Sequence, residues 1–425
     1  MTKVLILSVG GSAAPVVNAI KSGRPDYVYF FCSRGPKGSE HTIADPGDPC
    51  GDTRKIKCRE CGTEQYIGDS KGKAIIVQAG LDHSRYEIVA VDNPDDLAEC
   101  YHAVVGILDK IAEQYETDCE VTANYTGGTK TMSVALALAA LMRERCALAV
   151  NVGPRADLIK VISGDIPVIV DKWRISSEIQ IDMARRAIAD YDYAYAYRLF
   201  EGILQHPVDT SLRAKVLRAA QLCQIFDLWD KFQHAAAGQL MKTCNVPWPE
   251  YQKAIKWILR ENPRASGYEL VGDLLNNAER RAHRHYYDDA VARIYRATEL
   301  FAQLRLQQEH GQKSGDIKRE ALPEGLWEEY KSRLRGSKLV LGLNDVYELL
   351  DKLGDPAGHC YVQAREKLLN ALMKRNNSIF AHGITPLGEG EYREVRETLG
   401  GFLERTANAI AVKIDVPQLP QEGIV

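Results

Sequence analysis

The chain has 425 residues, of which 45% are hydrophobic and 26% are charged, and this composition is typical of a soluble globular protein. A chain of this length can form two or three domains, each with a core of its own. The formal net charge of −3 argues against a generally basic surface that coats nucleic acid, so a nucleotide site would need a local concentration of Lys and Arg.

Two further features bear on the cellular compartment. The ten cysteines lack the dense, regular spacing of a disulfide scaffold, which fits a reducing compartment. No apolar run approaches the ~20 residues that a membrane-spanning helix needs. We therefore expect a cytoplasmic protein.

The first ~170 residues alternate between predicted strands and helices, which indicates a parallel sheet with helices on its faces. Residues 3–8 are a near-continuous apolar run, as expected for a strand that is buried on both sides. The other predicted strands span residues 27–32, 86–91, 120–124, 147–151 and 158–162. The predicted fold class of this region is therefore α/β.

Two glycine-bearing turns follow predicted strands and open helices. In an open α/β sheet, ligands bind at such strand ends, where glycines let the backbone approach a phosphate and helix N-termini offer free N–H groups. The candidate ligand-binding residues are Gly10, Gly11 and Ser12 in the first turn, and Asn124, Thr126, Gly127, Gly128, Thr129, Lys130 and Thr131 in the second.

Two familiar phosphate-binding motifs do not fit these turns. A Walker loop needs Gly directly before its Lys, whereas Thr129 precedes Lys130. A dinucleotide fingerprint needs Gly-x-Gly-x-x-Gly and an acidic residue at the end of the second strand, where this chain has Cys32 and Ser33. Tight turns that bind no ligand are the alternative.

The segment 33–72 interrupts the alternation and is rich in Gly, Pro, Asp and Lys, which is typical of a loop. Cys58 and Cys61, with two residues between them, form a zinc-knuckle half-site, and Cys50 is a third candidate ligand. A fourth ligand would be Cys32 or His41. The segment either binds structural zinc or holds free thiols.

The central part of the chain is helical in pattern nearly throughout. A helix predicted at residues 286–308 carries Arg293 and Arg296, which either point toward the next candidate site or pair with acidic residues of their own helix. His283 and His285 lie beside no Cys, so we interpret them as polar surface rather than as a metal site.

Residues 371–383 are predicted to form a helix that Gly383 and Pro386 end. Arg375 and His382 are seven residues apart, close to two full turns, so both would project from one face. Arg can hold phosphate oxygens bidentately, and His can move a proton to or from a ribose 2′-OH or a leaving oxygen. The alternative is that both are solvated surface residues.

Several of these motifs together resemble a known protein family. Arg375, Asn376 and His382, followed by Gly383, resemble the Arg-x4–6-His signature of HEPN ribonucleases, and residues 287–299 resemble an early HEPN helix. The two glycine turns resemble the ligand-facing motifs of a CARF domain, the Rossmann-like sensor of CRISPR-associated proteins. The order of the motifs is similar to that in the CARF–HEPN ancillary ribonucleases of type III CRISPR systems.

The resemblance implies three parts. A CARF-like, Rossmann-like α/β sensor would span residues 1–172 and include the insertion at 33–72. A helical connector would span residues 173–270, and an all-α, HEPN-like ribonuclease domain would span residues 271–425.

The implied function is that of an endoribonuclease which cleaves single-stranded RNA in CRISPR antiviral defence and is activated by a cyclic oligoadenylate. Arg375, Asn376 and His382 would be catalytic. No acidic metal cluster accompanies them, so we expect cleavage without a catalytic metal and products with 2′,3′-cyclic phosphate ends.

A homodimer is expected because one chain offers a single Arg375 and His382 pair, and a two-fold axis would bring two pairs around one phosphate. The main alternative is a non-catalytic nucleotide-sensing module that signals through a partner protein. A nucleotide-binding transcription regulator is a further alternative, but no basic recognition helix is evident near the C-terminus.

Overall fold

In the computed structural model, the described residues are 1–35, 38–44, 55–57, 62–66, 74–116, 118–153, 155–156, 160–161, 165–244, 246–376, 378–380 and 383–425. They fall into two compact units, residues 1–178 and residues 179–425. Within the described residues, no helix is both long and apolar enough to cross a lipid bilayer.

The first unit is built on a six-stranded sheet. The strands described in this unit are β1 (Thr2–Ser8), β2 (Tyr27–Ser33), β3 (Lys55–Lys57), β4 (Glu64–Tyr66), β5 (Tyr86–Val91), β6 (Cys119–Asn124), β7 (Cys146–Val152), β8 (Arg155–Ala156), β9 (Lys160–Val161) and β10 (Ile166–Val170). The order across the main sheet is β10, β7, β6, β1, β2, β5. All neighbours in it are parallel except β10, which pairs antiparallel with β7. Two short antiparallel pairs, β3 with β4 and β8 with β9, lie outside this sheet.

Helices cover both faces of the main sheet, because the side chains of β1 alternate between two apolar clusters. Val4 and Ile6 pack with α4 (Leu97–Tyr115) and α5 (Lys130–Leu141), whereas Leu5 and Leu7 pack with α1 (Ala13–Gly23) and α3 (Ile75–Ala79). The α/β fold class predicted from the apolar run is therefore confirmed. The helices of this unit are α1 (Ala13–Gly23), α2 (His41–Ala44), α3 (Ile75–Ala79), α4 (Leu97–Tyr115), α5 (Lys130–Leu141) and the first part of α6 (Trp173–Ala189).

The last strand of the sheet differs from the prediction. Residues 166–170 close the sheet, whereas residues 160–161, inside the predicted strand 158–162, pair in a separate two-stranded ladder. The prediction assigned the apolar run 158–162 as the strand that closes the sheet. A run of this length does not say which neighbour a strand pairs with or in which direction, and that choice depends on tertiary contacts.

The chain order places a topological switch point between β1 and β6. From β1 the chain passes outward to β2 and β5, and then returns to form β6 on the other side of β1. In an open α/β sheet the crevice at the carboxyl ends of such strands is where ligands bind. The turns that follow Ser8 and Asn124 lie at this position.

The second unit is helical. Besides the rest of α6, its helices are α7 (Tyr193–Leu204), α8 (Thr210–Asp230), α9 (His234–Thr243), α10 (Pro249–Ile258), α11 (Glu269–His283), α12 (Tyr287–His310), α13 (Glu324–Tyr330), α14 (Leu343–Lys352), α15 (Pro356–Asn376), α16 (Glu389–Val395) and α17 (Gly401–Ala409), and it has one small hairpin, β11 (Leu334–Arg335) with β12 (Lys338–Leu339). The predicted all-α character of this region is confirmed apart from that hairpin.

This helical unit contains two apolar clusters. One is formed by α6 to α10 together with the C-terminal residues Leu419 and Ile424, and the other is formed by α11 to α17. In the second cluster, α12 is the central helix, and its side chains Ile294, Ala297 and Phe301 are fully buried. The predicted divisions at residues 172 and 270 stay predictions.

A buried polar network joins the two clusters. The fully buried Arg280 donates from Nε to Asp230 Oδ1 at 2.7 Å, which links α11 to α8. Asp273 Oδ2 is 2.8 Å from His234 Nε2, and Asp273 Oδ1 accepts from Trp229 Nε1 at 3.1 Å. Each buried charge therefore has a hydrogen-bonded partner, as a charge in a protein interior requires.

Candidate functional sites

The two glycine turns of the first unit lie in direct contact. A Cβ atom on Gly10 would lie 2.7 Å from the backbone nitrogen of Gly128, and one on Gly127 would collide with the carbonyl oxygen of Ser8. Gly128 also has a φ of +82°, which L side chains rarely adopt. The structure thus brings the two predicted motifs together, and close backbone approach explains their glycines.

Both turns open helices. Ser12 is the N-cap residue of α1, and its side chain makes no capping hydrogen bond. Thr129 is the N-cap residue of α5: its Oγ1 accepts from Met132 N at 3.2 Å and donates to Pro94 O at 2.7 Å. Lys130, the first residue of α5, is exposed, while Thr131 is half-buried. An ammonium group and the N-terminus of a twelve-residue helix therefore lie at one turn, where both favour an anion.

Beneath the turns runs a chain of buried hydrogen bonds. The side-chain oxygen of Asn124 accepts from Thr126 N at 3.1 Å and from Thr126 Oγ1 at 2.6 Å. Its Nδ2 donates to Asn151 Oδ1 at 2.7 Å, and Asn151 Nδ2 donates to Asp165 Oδ2 at 2.5 Å. The other carboxylate oxygen of Asp165 accepts from Asn18 Nδ2 at 2.5 Å. This relay, from Thr126 through Asp165 to Asn18, connects the second turn to the helix that the first turn opens.

Because of this relay, Asn124 differs from the other candidate ligand-binding residues in how its side chain is used. Its side chain is buried, and both of its polar atoms are used within the protein, so it fixes the conformation of the turn from below. Sequence reasoning missed Asn151 and Asp165. The one available signal was that Asn151 ends a predicted strand beside Asn124, as polar residues at strand ends often do in ligand sites.

The predicted zinc ligands Cys50, Cys58 and Cys61 lie outside the described residues. Of the two candidates for a fourth ligand, Cys32 is fully buried in β2, and burial raises the pKa of its thiol to about 12. Because the thiolate is the form that binds a metal, this position disfavours Cys32 as a ligand. Among the described residues, no group of three or more His, Cys, Asp or Glu side chains is arranged to hold a metal ion.

In the second unit, the helix that carries Arg375 ends earlier than predicted. α15 ends at Asn376, and residues 378–380 and Gly383 are not helical. Ser378 N donates to Arg375 O at 3.0 Å, and Gly383 N donates to Ser378 O at 3.3 Å. The argument that Arg375 and His382 share one helical face was therefore wrong. His382 itself lies outside the described residues.

The physical reason for the early end lies in the residues that follow Arg375. Asn and Ser side chains compete for backbone hydrogen bonds and are poor in helix interiors, and Asn376, Asn377 and Ser378 are consecutive. The prediction placed the end at Gly383 because it gave most weight to Gly and Pro as helix terminators. Arg375 is left in the last turn of α15, where a positive charge is favoured by the helix dipole.

The guanidinium of Arg375 is held against an aromatic ring. Its central carbon lies 4.4 Å from the centroid of the Tyr295 ring, which α12 carries. The Nε atom of Arg375 is buried and has no hydrogen-bond partner among the described residues, while Nη1 donates to Asn376 Oδ1 at a long 3.4 Å. A phosphate can therefore approach only the terminal nitrogens of this side chain.

Burial raises the pKa of Tyr295, and the carboxylate of Glu299 adds to this effect, while Arg375 opposes it. The phenol therefore stays neutral near neutral pH and serves as an aromatic support. Sequence reasoning quoted the stretch that contains Tyr295 but considered only its arginines. Arg293 pairs with Asp289, and Arg296 pairs with Glu299 at 2.7 Å, so ion pairing is the alternative that the structure supports.

Large exposed apolar side chains lie near Arg375 in the sequence. Met373, Ile379, Phe380 and Ile384 are all more than half exposed, and Ile384 is 91% exposed. These four residues fall within twelve positions of the chain, and we call them the Arg375 patch. Exposed patches of this kind mark interaction surfaces more often than isolated apolar residues do.

Comparison with known proteins identifies the helical region. Residues 260–406, which include Arg375 and Tyr295, match the family model described as the Csm6 HEPN domain. The predicted resemblance to the CARF–HEPN ancillary ribonucleases is confirmed. The matched range covers α11 to α16 and the first part of α17.

The whole chain also has a similar fold in a solved structure. Enterococcus italicus Csm6 bound to cyclic hexa-2′-fluoro-hexa-dAMP matches over 97% of this chain and 95% of its own, with a TM-score of 0.59 and 12% sequence identity. At this identity the match shows a shared fold, an α/β unit followed by a helical unit. No curated protein has a significantly similar sequence.

Proposed function

We propose that this protein is an endoribonuclease that cleaves single-stranded RNA in CRISPR antiviral defence and is activated by a cyclic oligoadenylate. The observation that carries the proposal is the position of Arg375: its charged group is stacked on Tyr295 at the exposed end of α15, inside the region that matches a Csm6 HEPN domain. An oriented guanidinium of this kind can bind phosphate oxygens and stabilise the charge that develops on them.

The proposed reaction uses the 2′-OH of the RNA as the nucleophile. A base takes the proton of the 2′-OH, the 2′-oxygen attacks phosphorus, and the 5′-oxygen leaves and is protonated. His382 is the residue proposed for proton transfer, and Arg375 and Asn376 bind the phosphate. Since the nucleophile belongs to the substrate, no catalytic metal is needed, and the products carry 2′,3′-cyclic phosphate and 5′-OH ends.

A homodimer is part of the proposal. One chain supplies a single Arg375, and the apolar Arg375 patch around it would be buried if two copies met across a two-fold axis. The axis would then place both guanidinium groups near one phosphate. The patch supports this arrangement because it lies at the site that a dimer would complete.

The activator is proposed to bind at the glycine turns of the first unit. Exposed Lys130, the N-termini of α1 and α5 and the backbone of the contacting glycines together suit the phosphates of a ring-shaped nucleotide. The Enterococcus italicus Csm6 with a similar fold is described as bound to a cyclic hexanucleotide analogue. Two copies of the turns in a dimer would face such a ring from both sides.

The test is cleavage of a labelled single-stranded RNA in EDTA, with and without cyclic tetra- or hexa-adenylate. Arg375→Ala and His382→Ala should each raise the barrier by about 2–4 kcal/mol, a loss of tens- to several hundredfold in rate. Arg393→Ala is the matched control, because Arg393 is an exposed arginine of α16 that pairs with Glu389 and has no proposed part in phosphate binding.

Two outcomes would contradict the proposal. Activity that disappears in EDTA would rule out the metal-independent mechanism. A wild-type protein that binds a cyclic oligoadenylate but cleaves no RNA would instead support the non-catalytic sensing module.

A further inference from the structure

A cleft in the second unit lies between the turn from α6 to α7 and the turn from α11 to α12. Its volume is about 530 Å³. We call it the basic cleft. The residues that line it are Met183, Arg186, Ala187, Asp190, Asp192, Tyr195, His283, Arg284 and His285.

The basic cleft is lined by two arginines, two histidines and two aspartates, so its formal charge is zero when the histidines are neutral. Asp192 accepts from Arg284 Nη2 at 2.7 Å, and Asp190 lies 3.5 Å from His283 Nε2, so both carboxylates face basic partners. Arg186 is exposed and has neither an ion-pair partner nor a hydrogen-bond acceptor among the described residues. An unpaired guanidinium beside two histidines favours an anionic ligand.

Aromatic rings alternate with these basic groups. Tyr195 lines the cleft with its ring partly exposed, and the guanidinium of Arg198 lies 5.6 Å from the centroid of that ring. At the other turn, Arg284 lies 5.5 Å from the ring centroid of the exposed Tyr286. Basic groups that follow a phosphate backbone, together with rings on which bases stack, are the features of surfaces that bind single-stranded nucleic acid.

The cleft is connected to the surroundings of Arg375 through the start of α12. His285 Nδ1 shares a hydrogen bond of 2.9 Å with the hydroxyl of Tyr287, and the ring of Tyr287 packs against Tyr392. From Tyr287 to Tyr295, which supports Arg375, α12 rises by about 12 Å at 1.5 Å per residue. A strand stacked at about 3.4 Å per nucleotide covers that rise in roughly four nucleotides.

We propose that the basic cleft binds the single-stranded RNA substrate a few nucleotides from the phosphate that is cleaved. Arg186 contacts a backbone phosphate, and Tyr195 stacks on a base. This inference rests on the proposed ribonuclease function and adds a binding site outside the Arg375 and His382 pair.

The experiment compares a twelve-nucleotide RNA with a trinucleotide, using the full-length protein. The binding probe is the 2′-O-methyl form of each, because a blocked 2′-OH cannot attack and the probe is not consumed. Arg186→Ala should weaken binding of the long probe by about three- to tenfold. It should also reduce the slope of log affinity against log salt by about 0.7, the value for one lost phosphate contact on a single strand. The trinucleotide, which is too short to reach the cleft, should bind equally to both proteins.

Arg185→Ala is the matched control. Arg185 is the neighbouring residue in α6, it is exposed, and it pairs with Asp182 rather than lining the cleft. It should leave binding of both probes unchanged. Tyr195→Ala should weaken binding of the long probe without changing the salt slope, because stacking releases no counterions.

The inference is overturned if Arg186→Ala and Arg185→Ala weaken binding of the long probe equally. It is also overturned if neither variant changes that binding. A cleft that serves an acidic protein segment instead would give this second result. Failure of the proposed function is a separate observation, since the wild type would then cleave no unmodified twelve-nucleotide RNA at all.

Discussion

At the scale of single residues, the contact between Arg375 and Tyr295 determines how much of the guanidinium is available. The ring covers one face of the group, and the buried Nε is out of reach of a ligand. What remains is an edge with the terminal nitrogens, which matches the geometry of bidentate phosphate binding. Tyr295 is therefore a positioning residue for Arg375 rather than a catalytic residue.

Tyr295→Leu should lower the RNA cleavage rate by about three- to thirtyfold, because a cation–π contact contributes roughly 0.5–2 kcal/mol. Tyr295→Phe keeps the ring and should stay within about twofold of the wild type. The measurement is kcat on single-stranded RNA, together with the urea midpoint of each variant. If Phe and Leu lower kcat equally while both proteins remain folded, the ring does not act through stacking.

At the scale of elements, the two glycine turns behave as one surface because they pack backbone against backbone. Gly10→Ala would place a methyl group 2.7 Å from Gly128 N and force the turns apart. We expect about 1–3 kcal/mol of lost stability in urea unfolding and binding of cyclic hexa-adenylate weakened by about tenfold or more.

Gly106→Ala is the control for this change. Gly106 lies within α4, and a Cβ atom there would meet nothing within 4 Å. That variant should be as stable as the wild type or more stable by up to about 1 kcal/mol, since Ala favours helix over Gly. Equal ligand binding by Gly10→Ala and Gly106→Ala would show that the contact between the turns is not needed for the ligand.

The insertion at 33–72 gives a second prediction at this scale. If Cys50, Cys58 and Cys61 bind structural zinc, elemental analysis should find about one zinc per chain. Cys58→Ser should lower both the zinc content and the melting temperature. Cys32→Ala should leave the zinc content unchanged, because the Cys32 thiol is buried in β2 and its pKa is raised by burial. Zinc-free protein of full stability would contradict the prediction.

At the scale of the whole molecule, the proposed dimer depends on the Arg375 patch. Phe380→Asp together with Ile384→Asp would place two charges in the proposed dimer interface. We expect a lower sedimentation coefficient and a loss of RNA cleavage of about tenfold or more. Val77→Asp is the control, because Val77 is similarly exposed but lies on α3 of the first unit. Unchanged sedimentation of the double variant would mean that the patch does not hold the dimer together.

Periodicity and turn composition predicted the α/β unit, the helical unit and the two glycine turns, because the buried strand 2–8 and the paired glycines carry strong local signals. The contact of Tyr295 with Arg375 and the relay from Asn124 to Asp165 were not predicted, since both join residues far apart in the chain. The end of α15 at Asn376 was missed for a local reason. The prediction gave most weight to Gly383 and Pro386, although the run from Asn376 to Ser378 already disfavours a helix.

The relay beneath the glycine turns makes the proposed ligand site sensitive to substitutions in the interior of the first unit. Both turns depend on one buried carboxylate, that of Asp165, which holds Asn151 on one side and Asn18 on the other. A substitution at any of these three positions leaves the exposed residues of the turns unchanged, yet it would disturb both turns together. Loss of response to the proposed ligand would therefore arise at interior positions as well as at the exposed ones.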